Sequence, residues 1–363
     1  MKHLLIFFLL FWGCSIQLFS NSTDTVASRK SLFLIPHVAY QQETSWSGGV
    51  AFGYYFKSKD ISRISSISGS AVYTVLNQFM FNLTPKLYFS DKKYFLYANM
   101  NLRNYPDYFY GVGNKPQNLK AGYVSRNFNV TLQPQYLISK QFYVGLLLSL
   151  KTENLRTDST RTFLQQNIYS VYGDAGWTPY SQFTAGFVAA YDTRNNQFYP
   201  ESGIFAKIMA GSSPSWFGNS FNLSEFNIDF RNYQPLFRNH TLAVQAQISG
   251  IFGPQGIPFQ LLPTLGGRDQ LRGFRQGMYR DNMLLLVQSE YRLPVYKRLK
   301  AAFFCSAGDV MNSTDLKIDK LKVGYGVGLR YRLNDARVHL RFDIAKNNYG
   351  EKLQFYITAT EAF

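Results

Sequence analysis

Val323, Tyr325, Val327, Leu329 and Tyr331 take every second position of one stretch, and Gly324, Gly326, Gly328, Arg330 and Arg332 fill the gaps. Successive side chains of a β-strand point to opposite faces, so this stretch has one apolar and one polar face. The same period returns where Val338, Leu340, Phe342 and Ile344 oppose Arg337, His339, Arg341 and Asp343. From Ser31 onward nothing of useful length carries a helical period, and turn residues break the alternation repeatedly. The fold class is all-β.

A half-buried soluble sheet alternates in the same way. Three features favour a transmembrane antiparallel β-barrel: strands about ten residues long, aromatics on the apolar face, and the end of the chain. Aromatic residues make up 17% of the sequence, yet mean hydropathy is only -0.18. A barrel reconciles the two, because its polar lumen dilutes an apolar outer surface with aromatic rims. At the C-terminus Leu353, Phe355, Ile357, Ala359 and Phe363 share one face. Bacterial outer-membrane barrels commonly end in such a strand, which assembly machinery reads as a sorting signal, so Phe355, Ile357 and Phe363 are its candidate residues. Glu361 interrupts that face near the rim, where a charge costs less than at mid-membrane.

Strands are expected near 32–40, 48–58, 66–76, 78–90, 93–105, 122–138, 141–156 and 181–193. Further ones fall near 202–212, 220–236, 240–252, 283–296, 298–310, 322–333, 336–347 and 354–363. The total of about sixteen is even, as a closed single-chain barrel requires. With a periplasmic N-terminus, even-to-odd connections should be short and odd-to-even ones long. Ser90–Lys93, Ser139-Lys140 and Asn334-Asp335 are short, whereas 106–121, 157–180 and 253–282 are long.

Ahead of the strands, Met1-Lys2-His3 and the apolar run Leu4–Phe11 read as a secretory signal peptide over residues 1–20. Cleavage after Ser20 is expected. Cys14 after Gly13 also fits lipoprotein processing, although Phe11 and Trp12 fit that pattern badly. Residues 21–31 form a short N-terminal segment and 32–363 the barrel, which leaves no room for a separate periplasmic domain. With Cys14 removed, Cys305 stands alone and reads as a small packing residue.

The net charge of +16 could suggest nucleic acid, but a secreted chain without a basic cluster argues for a basic lumen and basic loops beside membrane lipid. His37, His240 and His339 are the only histidines of the mature chain, and none sits in a nucleophile or general-base arrangement. No metal-ligand spacing occurs. The expectation is a non-enzyme with no catalytic residue, no metal and no cofactor.

The longest connection carries Leu265-Gly266-Gly267-Arg268-Asp269-Gln270-Leu271-Arg272-Gly273-Phe274. Glycine after arginine permits a left-handed turn that projects the guanidinium from the loop. Gly324, Gly326 and Gly328 strip side chains from one lumen wall and make room for a loop folded inward. Asp343 and Glu290 lie on lumen faces and could pair with Arg272. Spacing alone equally allows a solvated loop arginine and glycines that only tune curvature.

Leu271-Arg272-Gly273-Phe274 resembles the (V/I/L)RG(F/Y) signature of the bacterial surface antigen superfamily, which includes the BamA and TamA insertases and the two-partner secretion transporters. Around it stand Gly266-Gly267, Tyr279-Arg280-Asp281 and Glu290-Tyr291-Arg292-Leu293-Pro294. Arg341-Phe342-Asp343, Tyr191-Asp192-Thr193-Arg194 leading to Pro200 and Gly203, and Phe109–Asn114 complete the likeness, which covers about residues 30 to 363. The resemblance implies a sixteen-stranded barrel whose sixth extracellular loop enters the lumen. There the motif arginine, Arg272, is held by Asp343, with Glu290 a second candidate partner. It also implies a seam between first and last strands that opens to a client strand, since an unpaired edge is a template for pairing.

The resulting expectation is a BamA/TamA-like barrel of the bacterial outer membrane that assists assembly, insertion or translocation of outer-membrane proteins. Its partners would be outer-membrane lipid, client outer-membrane proteins and a periplasmic or envelope partner chain, with no nucleic acid. The alternative is a non-insertase pore or a structural subunit of an outer-membrane complex.

Overall fold

The computed structural model describes residues 30–41, 45–57, 63–114, 121–157 and 177–363, apart from positions 238, 255, 319, 351 and 360. The expected signal peptide, its cleavage site, Cys14 and nearly all of segment 21–31 lie outside the described residues.

In chain order the strands are β1 (Lys30–Gln41), β2 (Ser45–Phe56), β3 (Ser65–Thr74), β4 (Phe79–Phe89), β5 (Tyr94–Phe109) and β6 (Ala121–Ser139). Next come β7 (Phe142–Thr157), β8 (Tyr180–Asp192), β9 (Gly203–Ser213), β10 (Leu223–Pro235), β11 (Thr241–Phe252), β12 (Thr264–Leu265) and β13 (Tyr279–Arg280). The last five are β14 (Met283–Tyr296), β15 (Leu299–Met311), β16 (Lys322–Arg332), β17 (His339–Asn347) and β18 (Gln354–Thr358).

Sixteen of these form one antiparallel sheet in which each strand pairs with the next along the chain, β11 pairing directly with β14. The remaining two, β12 and β13, are a miniature hairpin inside the 253–282 connection. The sheet is a transmembrane β-barrel, and β1 and β18 stand at the two ends of its order. Asn334 Nδ2 donates to Ser31 Oγ at 3.2 Å, so the β16–β17 turn reaches β1 across that seam.

Alternation sorts the side chains as a bilayer demands. Val287, Phe303, Val327, Phe342 and Phe355 face outward and are exposed, while Gln288, Glu290, Arg292, Arg330 and Arg341 are buried in the lumen. Helices play no part in this: no helix among the described residues is long and apolar enough to cross a membrane. Burying charges in the lumen is tolerable only because they are paired.

Each expected strand window coincides with an observed strand, and three details differ. Cys305 is exposed on the outward face and so is not an interior packing residue. Val338 leaves the outward face because it lies in the β16–β17 turn ahead of β17, where Arg337 takes a positive φ of 66°; Val338 packs instead with Tyr55 and Ala336. The third is the C-terminus. β18 ends at Thr358, and Phe363 turns inside to pack with Tyr233 and Ala243, so it does not share the outward face of Phe355 and Ile357. Glu361 is likewise no rim residue: its carboxylate is buried against the Arg330 guanidinium, which attracts it more strongly than the lipid surface can.

Candidate functional site

The 253–282 connection folds into the lumen, and its tip is held by backbone geometry that needs glycine. Gly266, Gly267 and Gly273 have φ of 105°, 120° and 106°, and Leu271 is held at 49° although it is not glycine. Leu271 N–H donates to Gln288 Oε1 at 3.2 Å, which fixes that conformation to β14. Gly267 N–H donates to the Phe274 carbonyl at 3.1 Å and closes the tip on itself. Phe274 is fully buried with Leu265, Leu271, Tyr279, Leu284, Leu286 and Val310, an apolar plug in the outer part of the lumen.

Below that plug, Arg272 enters a cluster of buried charges with 0% of its side chain exposed. Its Nη1 donates to Asp343 Oδ2 at 2.6 Å, and its Nη2 lies 2.8 Å from Glu290 Oε2. The guanidinium also lies 3.5 Å from the centroid of the Phe304 ring, a cation–π contact in a desolvated place. Both expected carboxylates are therefore brought to the same arginine.

Arg330, Arg292 and Glu361 belong to the same cluster and were not assigned to it from sequence. Arg330 donates to Asp343 Oδ1 at 2.5 Å, to Glu290 Oε2 at 2.9 Å and to Glu361 Oε2 at 2.8 Å. Arg292 Nε donates to Glu290 Oε1 at 2.8 Å, and its Nη2 reaches the Phe363 carbonyl at 3.4 Å. Arg341 Nε lies 3.4 Å from Asp343 Oδ2, and its Nη2 donates to Asp269 Oδ1 of the loop at 3.0 Å. Arg330, Arg292 and Arg341 each lie two residues from an expected residue on the same strand face, which was the available signal, whereas Glu361 lies beyond the end of β18 and had none. Removing any member leaves buried charge unpaired.

The three glycines of β16 have separate roles, which corrects the expectation that all of them make room for the loop. A Cβ at Gly324 would land on the Arg272 carbonyl oxygen, so only this one faces loop backbone. At Gly326 it would strike the Ile344 carbonyl and the Phe304 ring beneath Arg272. At Gly328 it would overlap Asp343 Oδ1 and Arg330 Nη1. The last two make room for the charge cluster.

The final strand closes on the tip as well. Gly273 N–H donates to Tyr356 Oη at 3.1 Å, Tyr356 Oη donates to the Phe274 carbonyl at 3.3 Å, and Asn347 Nδ2 donates to the Gly273 carbonyl at 2.8 Å. Loop, β17 and β18 are thus one hydrogen-bonded unit beside the seam. Among the described residues no group of three or more His, Cys, Asp or Glu could hold a metal ion.

At the opposite rim the β8–β9 turn crosses the barrel. Arg194 Nε lies 2.9 Å from Asp192 Oδ1, and Arg63 of the β2–β3 turn pairs with the same carboxylate. Phe198 packs edge-on against Tyr55 at 4.9 Å, and Asn196 Nδ2 donates to the Ala336 carbonyl at 3.2 Å. Glu201 accepts from Lys300 and from Arg337, each at 2.7 Å. Burial alone would raise the Glu201 carboxyl, but these two cations overcome it and hold the group below its ordinary value of 4.5.

A sixteen-stranded sheet with an inward outer loop, locked by an arginine–carboxylate cluster, defines a class of outer-membrane β-barrel. The Omp85 superfamily domain matches residues 65–363, and the chain belongs to that superfamily. Its location is the bacterial outer membrane. No curated protein matches the chain by sequence. Among solved structures, BamA from Haemophilus ducreyi lacking POTRA domains 1-3 is similar, at 17% identity and a TM-score of 0.60, over 90% of this chain and 69% of that one. CdiB from Acinetobacter baumannii is 14% identical with a TM-score of 0.54, over 90% of this chain and 59% of that one. CdiB from Escherichia coli is 10% identical with a TM-score of 0.56, over 90% of this chain and 61% of that one. This chain thus spans about three-fifths of each CdiB chain. At these identities the structural likeness is one of fold.

Proposed function

We propose that the barrel assists assembly, insertion or translocation of outer-membrane proteins, by offering the edge of β1 to a client strand, and that it does so without catalytic chemistry. The observation that carries this reading is the inequality of the two seam strands. β1 is a twelve-residue strand, β18 has five residues, and the chain after it turns into the lumen. Most of the β1 edge therefore has no strand of matching length to pair with, and such an edge is the element that β-augmentation uses. Client proteins and a periplasmic or envelope partner chain are part of the same proposal. The experiment places photo-crosslinking residues at Leu34 and Phe355 in cells that are synthesising outer-membrane proteins. Crosslinks to unfolded barrel precursors at both positions support the reading, and their absence at both refutes it.

The second reading, a pore or structural subunit without insertase activity, draws on a 430 Å³ lumen cavity lined in part by Lys151, Glu225 and Gln247. Steady solute conductance without client crosslinks would favour it.

A further inference from the structure

At the periplasmic rim a pocket of about 220 Å³ opens between the β8–β9 turn and the ends of β14 to β17. Lys297, Arg298, Lys300, Arg332 and Arg337 line it, against the single carboxylate of Glu201. That carboxylate is already shared by Lys300 and Arg337. Lys297, Arg298 and Arg332 have no carboxylate within ion-pair distance among the described residues, although like charges held together repel. Such an excess in a concave site is the electrostatic form of an anion receptor.

A second observation points the same way. Tyr199 lines the pocket, is fully buried, and its hydroxyl has no hydrogen-bond partner among the described residues. A buried donor left unpaired is costly, and an anionic oxygen would satisfy it. The ring packs at a tilt against His339 at a centroid distance of 4.0 Å, with Lys300 over it at 4.4 Å.

The surroundings decide which anion. Leu236, Phe237, Val295 and Tyr296 are large apolar side chains exposed around the β10–β11 turn and at the end of β14, and His240 Nδ1 lies 2.6 Å from Tyr291 Oη, joining that turn to β14. An inorganic ion has no use for an apolar apron, whereas acyl chains do. We propose that this pocket holds the phosphate of an anionic phospholipid from the inner leaflet of the outer membrane. The phosphate sits among Lys297, Arg298 and Arg332, with Tyr199 Oη donating to it, and the acyl chains lie against the apolar apron.

The test is native mass spectrometry of the full chain in detergent after exposure to phosphatidylglycerol or to phosphatidylcholine. The wild type should retain phosphatidylglycerol preferentially. A combined Lys297→Gln, Arg298→Gln and Arg332→Gln variant should bind it at least about tenfold more weakly, the effect of losing one charge-assisted hydrogen bond. Lys317→Gln with Lys320→Gln, at the other rim, should change nothing, which separates a site from general basicity. Tyr199→Phe removes only the orphan hydroxyl and should also weaken retention, so the proposal remains testable if the triple variant fails to fold. Equal retention of both lipids, or retention unchanged in Tyr199→Phe and in the folded triple variant, overturns it. Full displacement of the lipid by inorganic phosphate would make the pocket a free-phosphate site and overturn the lipid assignment.

Discussion

The carbonyl oxygen of Arg272 occupies the space that a side chain at position 324 would fill, so loop and barrel wall meet backbone to backbone. Backbone cannot swing aside as a flexible side chain can. Gly324→Ala should therefore lift the loop tip and destabilise the barrel by about 1–3 kcal/mol, the usual range for overpacking. Urea unfolding in lipid vesicles measures the loss, and protease cleavage between 253 and 282 reports the lifted loop. Wild-type resistance in both assays would count against the contact.

Asp343 contacts three arginines, Arg272, Arg330 and Arg341, whereas Arg272 contacts two carboxylates. Losing Asp343 leaves more buried charge unpaired. Asp343→Asn and Arg272→Met should each cost about 3–5 kcal/mol, with Asp343→Asn the larger. The double variant should cost less than the sum of the two, because they share one network. Arg272→Lys should not restore stability, since an ammonium cannot span two carboxylates and stack on Phe304. Additive losses in a double-mutant cycle would show that the pair is uncoupled.

Glu201 links the β8–β9 turn to Lys300 and Arg337. Its folded carboxyl titrates below 4.5, so its contribution to stability is complete above that value and disappears as pH falls through the lower folded value. The gap in melting temperature between wild type and Glu201→Gln should be constant near neutrality and close as pH falls below 4.5 through the lower folded value. A gap of full size at the acid end would place the stabilisation elsewhere.

Phe355 faces outward, and Phe363 is packed in the lumen. Phe363→Ala should cost about 3 kcal/mol of equilibrium stability through the cavity it leaves. Phe355→Ala should leave that stability nearly unchanged and slow assembly, if the outward residues of the last strand form the sorting signal. Refolding rates into vesicles and delivery to the outer membrane in cells separate the two. Equal effects of both substitutions on both measurements would defeat the distinction.

Much of the lumen site was legible in sequence because strand faces are local. Asp343, Glu290 and Gly328 could be assigned to the lumen from their parity within a strand, whereas spacing left Arg272 open between lumen and solvent and only the family resemblance implied its pairing with Asp343. Arg330 lay on the same face as Gly328 and Asp343, but nothing local says that it touches Glu290 on β14. Glu361 was misread for a related reason. Its parity placed it outside, and the strand ended at Thr358 before that parity could apply.

Period-two alternation and turn chemistry determined on their own about sixteen strands joined by alternately short and long connections, and they left open whether the longest loop enters the lumen. Both signals reside within a few neighbouring residues, and every strand pairs with the next along the chain. Only the tertiary structure decided which charges share the lumen, why the β8–β9 turn crosses to Tyr55, Lys300 and Arg337, and that the chain's last residues go inside. Those outcomes depend on groups far apart in sequence meeting across a curved wall, where burial forces each charge to find a partner that local pattern does not name.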